Sequence, residues 1–213
     1  MDVKWTFKTY SFEEDTMKQL IYTTIAILLL FVGQAAQGAI RSWELDKAHS
    51  NFYFGVGHIF SVVQGQFNDY SGEITFDPNN LEESHLFFEI KTASINTNMA
   101  KRDKHLQSSD FFDAKQFPVM TFNSTKITDA GDGVYEVLGN FTVKGQSHEL
   151  VLPLTFAGIK KHPAVKGKEV IGLNGRVTID RLAYKVGHGK FYDMGMVGKD
   201  VDIFVTLEAL SKK

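Results

Sequence analysis

The chain has 213 residues, a formal net charge of −2 and no cysteine. Disulfides, a thiolate nucleophile, cysteine metal sites and lipid attachment through a cleavage-site cysteine are therefore excluded. A near-neutral balance, 20 Lys and Arg against 21 Asp and Glu from residue 39 onward, argues against a nucleic-acid partner and a polybasic membrane contact.

Residues 1–16 carry Glu13, Glu14 and Asp15 where a leader should be positive, and read as an over-extended start before Met17. From Met17 the chain shows Lys18, an apolar run Leu20 to Val32, and small residues in Ala36-Gln37-Gly38. This is the pattern of a secretory signal peptide over 17–38. The run falls short of the roughly 20 apolar residues of a membrane span, so no stable anchor is expected after its removal. The expected compartment is the bacterial periplasm or the exterior, and peptide mapping of the precursor tests the start. Residues 39–213 are long enough for one domain with a real core.

Beyond residue 39 the dominant period is two. Phe52, Phe54, Val56 and His58 share one face; Leu86, Phe88, Ile90 and Thr92 share the next. Leu150, Leu152, Leu154 and Phe156 follow, then Leu173, Gly175, Val177 and Ile179, then Val201, Ile203, Val205 and Leu207. Shorter runs fit around Ser71–Phe76, Pro118–Ile127 and Val134–Val143. Each has one apolar face, as half-buried antiparallel strands do. Turns fall at Asp77-Pro78-Asn79-Asn80, Asp129 to Gly133 and Lys144-Gly145-Gln146, and the basic stretch Lys160–Lys168 reads as a solvated hairpin connection. About eight strands without alternating long helices predict an all-β sandwich or barrel.

One segment breaks that rhythm. Thr97 or Asn96 can cap a short helix over Asn98–Gln107, and Asp110-Phe111-Phe112-Asp113 then forms a tight turn. The stretch Arg102–Phe122 is too polar for a core helix and too rich in phenylalanine for a plain loop. A single helical insertion in such a chain suits the closure of one barrel end, and an eight-stranded barrel can hold side chains or one small elongated ligand.

Fifteen of the 18 phenylalanines lie beyond residue 38. Composition alone fits either a cavity for an apolar ligand or a core filled by aromatics. His58 reads either as a head-group donor at a barrel mouth or as a satisfied rim residue. Arg102 reads mainly as a fastening of the helix, and Asp110 and Asp113 as turn residues. The seven histidines show no metal-ligand spacing, so no metal site is expected. With no nucleophile elbow, phosphate loop or dinucleotide fingerprint, an enzyme is not expected. A hydrolase of apolar esters and a ligand-free structural barrel are the alternatives.

Several ordered motifs carry a resemblance: Trp43-Glu44-Leu45-Asp46 with His49-Ser50, Gly57-His58, Gly65-Gln66-Phe67, and Gly72 with Phe76-Asp77. Ser94-Ile95-Asn96-Thr97 with Arg102-Asp103, His105-Leu106 and Ser109 to Asp113 is the most specific stretch. Phe117-Pro118, Thr121-Phe122, Gly139 to Gly145 and Asp180-Arg181 extend it. Over Ser42 to Leu210 the chain resembles the YceI-like family. The resemblance implies an antiparallel, lipocalin-like β-barrel of about eight strands that binds a polyisoprenoid lipid or isoprenoid quinone for carriage or storage. It implies no other cofactor and leaves a homodimer open. The expected ligand-facing residues are Phe52, Phe54, Val56, His58, Phe88, Ile90, Phe111, Phe112, Phe122, Phe141, Leu152, Leu154, Val177 and Ile179. One departure stands out: Arg181-Leu182-Ala183-Tyr184 lacks the family's acidic or polar residue before the aromatic, which puts a polar contact there in doubt.

Overall fold

A computed structural model describes residues 1–4 and 40–212. The expected signal segment 17–38 and residues 5–16 lie outside the described residues. Residues 1–4 are exposed and without regular structure; the unit Ile40–Lys213 holds all the elements below.

Eleven strands are present among the described residues. They are β1 (Ser42–Leu45), β2 (Asn51–His58), β3 (Ser61–Phe67), β4 (Tyr70–Thr75), β5 (His85–Lys91), β6 (Ile95–Asn96), β7 (Val119–Gly131), β8 (Val134–Val143), β9 (Gln146–Lys161), β10 (Glu169–Asp180) and β11 (Val197–Ser211). Two short helices, α1 (Ala100–Leu106) and α2 (Gly189–Asp193), complete the set. Eight strands close a ring in the order β1-β4-β5-β7-β8-β9-β10-β11, with β11 returning to β1, and every pairing is antiparallel. The expected closed all-β barrel is what forms.

The three strands absent from the periodic reading are β1, β3 and β6. They arise because the chain bends three times and each bend divides a longer path. The 15-residue β11 pairs with β1 through Ala209 to Ser211 and with β2 through Val197 to Thr206. Between them, Ser50 bridges the gap: its hydroxyl donates to Glu208 O and accepts from Glu208 N–H, both at 3.0 Å. Tyr70 donates its hydroxyl to Ser50 O and holds the second bend, between β3 and β4. The third bend is the 3-10 turn Thr92–Ser94 between β5 and β6, where Thr92 Oγ1 donates to Phe117 O at 2.7 Å.

These bends split the barrel into two levels. Around β1, β4 and the far ends of β8 to β10 the interior is filled by Trp43, Ile74, Phe76, Leu86, Val137, Leu154, Ile171 and Leu173, all fully buried. Trp43 Nε1 donates to Phe76 O at 2.9 Å, so the largest core side chain leaves no polar atom unpaired. At the other level β2 and β3 lean away, β6 meets β3 over two residue pairs only, and α1 stands where the chain passes from β6 to β7.

Candidate functional site

The second level is hollow. Its cavity measures about 160 Å³ and is lined almost wholly by carbon. Strands β2, β5, β7 to β11 and the segment around α1 all contribute. Twelve of the expected ligand-facing residues stand in its wall: Phe52, Phe54, Val56, Phe88, Ile90, Phe111, Phe112, Phe122, Phe141, Leu152, Val177 and Ile179. Two do not line it. Leu154 lies one inward step past Leu152, opposite Tyr135 and Gly175, and packs in the filled level. His58 ends β2 beyond Val56, where it pairs with Ser61 and Val197.

Burial locates the mouth. Along β2 it falls from Phe52 to Phe54 and Val56; along β11 it falls from Val205 to Ile203, Val201 and Val197; along β10 it falls from Leu173 to Val177 and Ile179. The cavity therefore opens at the end where β2 and β10 finish and β11 begins. Glycine at 65 makes room for the wall itself: a Cβ there would come within 2.4 Å of the Phe54 ring. Gly65 thus serves an aromatic side chain and leaves no space for a ligand.

One side of the mouth is covered by the α1 segment. The helix is shorter than expected, and Met99 caps it without a side-chain bond. The polar anchoring is reversed relative to the sequence reading: Asp103, inside the helix, accepts from Thr97 N–H at 2.9 Å and from Thr97 Oγ1. Arg102 donates from Nε to Thr97 Oγ1 and from Nη2 to Thr97 O, both at 2.7 Å. The helix buries none of its own residues. Its attachment comes from the turn that follows, where Phe111 stacks on Phe191 at 5.8 Å and Phe112 meets Phe67 edge-on at 5.9 Å. Lys144, from the β8–β9 turn, donates to Ser109 O and Phe111 O, and burial pushes its ammonium pKa down. Asp110 lies 3.1 Å from His105 Nε2 and 3.5 Å from His188 Nε2; the bond to His105 holds its carboxyl below the ordinary range.

The wall has one charged side chain, Arg181, which the sequence reading did not place there. It continues the inward face Val177, Ile179, so the same period-two signal could have found it. Arg181 is 5% exposed. It donates from Nε to Gly198 O at 2.7 Å, from Nη1 to Val186 O at 2.7 Å and from Nη2 to Val197 O at 3.2 Å. No carboxylate lies within ion-pair distance of it among the described residues, and burial lowers its pKa. Where the family has an acidic or polar residue, Ala183 supplies no polar side chain; its carbonyl lies 3.1 Å from His148 Nε2. The five guanidinium N–H groups of Arg181 make the three bonds above, which leaves two donors uncommitted among the described residues. Tyr184 is buried beside Phe141, at 5.4 Å between rings, and desolvation raises its pKa.

Asp46, His49 and Glu208 bring three ligand-type atoms within 4.8 Å of one another. Asp46 already accepts from Ala48 N–H at 2.9 Å and contacts His49 Nδ1 at 2.7 Å. This grouping belongs to the β1–β2 bend.

The YceI-like domain model matches residues 43–209, from the first strand of the ring to the last. The chain belongs to the YceI-like family. A UPF0312 protein of Vibrio vulnificus is 32% identical over 182 residues, covering 84% of this chain and 95% of its own. Among solved structures, BcnA of Burkholderia cenocepacia superposes with a TM-score of 0.71 at 28% identity, over 78% of this chain and 99% of its own. A polyisoprenoid binding domain from Saccharophagus degradans shares the fold with a TM-score of 0.62 at 14% identity, over 80% of this chain and 98% of its own.

Proposed function

We propose that this YceI-like barrel binds an isoprenoid lipid, a polyisoprenoid or an isoprenoid quinone, and carries or stores it outside the cytoplasm after export. The observation that carries the reading is a carbon-lined cavity whose mouth holds one buried guanidinium without a carboxylate partner. Apolar area removed from water drives the tail inward at about 25 cal/mol per Å². Arg181 supplies hydrogen-bond donors for a carbonyl or anionic head group held at the mouth. The likeness to a polyisoprenoid binding domain supports the choice of ligand class. The polar side chains of the wall are Tyr53, Arg181 and Tyr184, which supplies no nucleophile with an adjacent base, so the reading is one of binding without turnover.

Size sets a condition. A dry apolar cavity of about 150 Å³ holds one benzene-sized group, and this one is of that order. A tail of several isoprene units therefore requires the walls to yield at the mouth, where Phe54, Leu106 and Phe112 are only partly buried. Organic extraction of protein purified from an exporting bacterial host, followed by mass spectrometry, is expected to release a prenyl lipid. Protein that carries none and takes up no added isoprenoid quinone overturns the reading. Phe54→Asp places a charge in the wall and is expected to reduce quinone uptake about tenfold or more, with folding checked by circular dichroism.

A further inference from the structure

The β2–β3 hairpin turns through two residues, Ile59 and Phe60, between the paired His58 and Ser61. Ile59 has a φ of 54°. A β-branched residue in that region is a steric outlier, and two-residue hairpin loops ordinarily place Gly, Asn or Asp there. Phe60 beside it is fully exposed, at 102%. Backbone and solvation thus both disfavour the residues present, and neither residue belongs to the core. Val62, just past the loop, is also exposed. So is Met194, two residues before Met196, whose carbonyl accepts the Ile59 N–H at 3.2 Å. His58 to Val62 carries no permanent charge.

The position of this loop gives it meaning. Val56, two residues before His58, and Val197, the β11 partner of His58, both line the cavity and are partly exposed. The hairpin therefore projects past the mouth. A bilayer-resident isoprenoid that left the membrane through water would expose its tail on the way.

We propose that Ile59, Phe60 and Val62 form an insertion tip that seats the open end of the barrel on a lipid bilayer, so that the ligand passes between membrane and cavity without crossing water. This rests on the isoprenoid reading above. The occupant is a lipid surface because the loop is projecting, uncharged and apolar, with an aromatic ring suited to the interface, and because it is continuous with an opening that a membrane lipid would use. Attachment by burial of apolar side chains is insensitive to salt, unlike attachment by charge.

All described strand partners and core residues lie within 40–212, so residues 39–213 form a self-contained unit that can be made alone. This unit is expected to co-sediment with phosphatidylcholine vesicles equally at low and high salt. The double variant Ile59→Asn with Phe60→Gly gives the turn residues it favours and should keep its melting temperature and its uptake of ubiquinone from octyl glucoside micelles. Its vesicle partition should fall about tenfold or more, as loss of two inserted apolar side chains implies. Wild-type protein that stays in the supernatant, or a variant that partitions equally well, overturns the tip while leaving the isoprenoid reading intact. A wild-type dimer that becomes monomeric in the variant, with neither form on vesicles, makes the loop a self-association contact and also overturns it. If neither form takes up micellar ubiquinone, the isoprenoid reading fails, and the proposal with it.

Discussion

Arg181 and Gly187 work as a unit. The chain from Arg181 to Gly187 folds back on the guanidinium through Val186 N–H to Arg181 O at 3.0 Å. Gly187 closes the turn at φ 77°, with room for no more than hydrogen: a Cβ would come within 2.6 Å of Arg181 Nη1 and 2.9 Å of the Phe111 ring. Gly187→Ala therefore meets both steric crowding and a disfavoured backbone. Arg181→Ala strands the carbonyls of Val186, Val197 and Gly198, and is expected to cost about 3 kcal/mol or more. Urea unfolding followed by the fluorescence of Trp43 checks this, since Trp43 is the lone tryptophan beyond residue 38. At the β1–β2 bend, the bond to Asp46 raises the His49 pKa above its ordinary 6.5. A raised histidine stabilises the fold below the unfolded value, and that contribution is lost as pH rises through the folded one. His49→Ala should flatten the melting temperature between pH 6 and pH 8, within the small range expected of an exposed pair.

The α1 segment is lightly held. It buries no residue of its own and is held by Thr97, by Asp110 and by two phenylalanines of its following turn. Thr97→Val removes the hydroxyl that bridges Arg102 and Asp103, so amide exchange over 99–107 should accelerate while the unfolding midpoint of the barrel hardly changes. Faster release of bound quinone in the same variant would show that this segment governs escape from the cavity; unchanged release would assign that role to the β2–β11 side. The depressed Asp110 carboxyl stabilises the segment above the ordinary 3.8, and that support is lost as pH falls through its lower folded value. Protection factors over 105–112, corrected for intrinsic exchange, should therefore fall only in strongly acidic solution.

For the molecule as a whole, the alternation of Phe52 to Val56, Phe88 with Ile90, and Val177 with Ile179 made the barrel and most of the cavity wall legible, because period two says which way a side chain points. It does not say how far along the barrel a residue lies. That axial coordinate depends on cross-strand register, which is why Leu154 went with the ligand-facing residues although it packs against Gly175. The bends were hidden for a related reason: Ser50, Tyr70 and Thr92 act through hydrogen bonds to Glu208, Ser50 and Phe117, contacts that span up to 158 positions. The strand β3, with polar Gln64 and Gln66 flanking Gly65, lacked an apolar stripe to announce it. Phe88→Ala, in a ring packed against Phe52 at 5.3 Å, should cost about 3–5 kcal/mol, measurable by the same urea titration. Val177→Ala, at the partly exposed mouth, should cost much less and act mainly on quinone uptake.

A wider contrast separates the two levels of the barrel. The closed ring around Trp43 and Phe76 supplies cohesion, whereas the splayed strands above it shape the hollow. Cohesion and selectivity are thus written on separate storeys, and the lower acts as a foundation that the upper can be rebuilt upon. A library randomised at Phe54, Val56, Val177 and Ile179 should keep most of its members folded while the range of apolar guests they accept drifts apart.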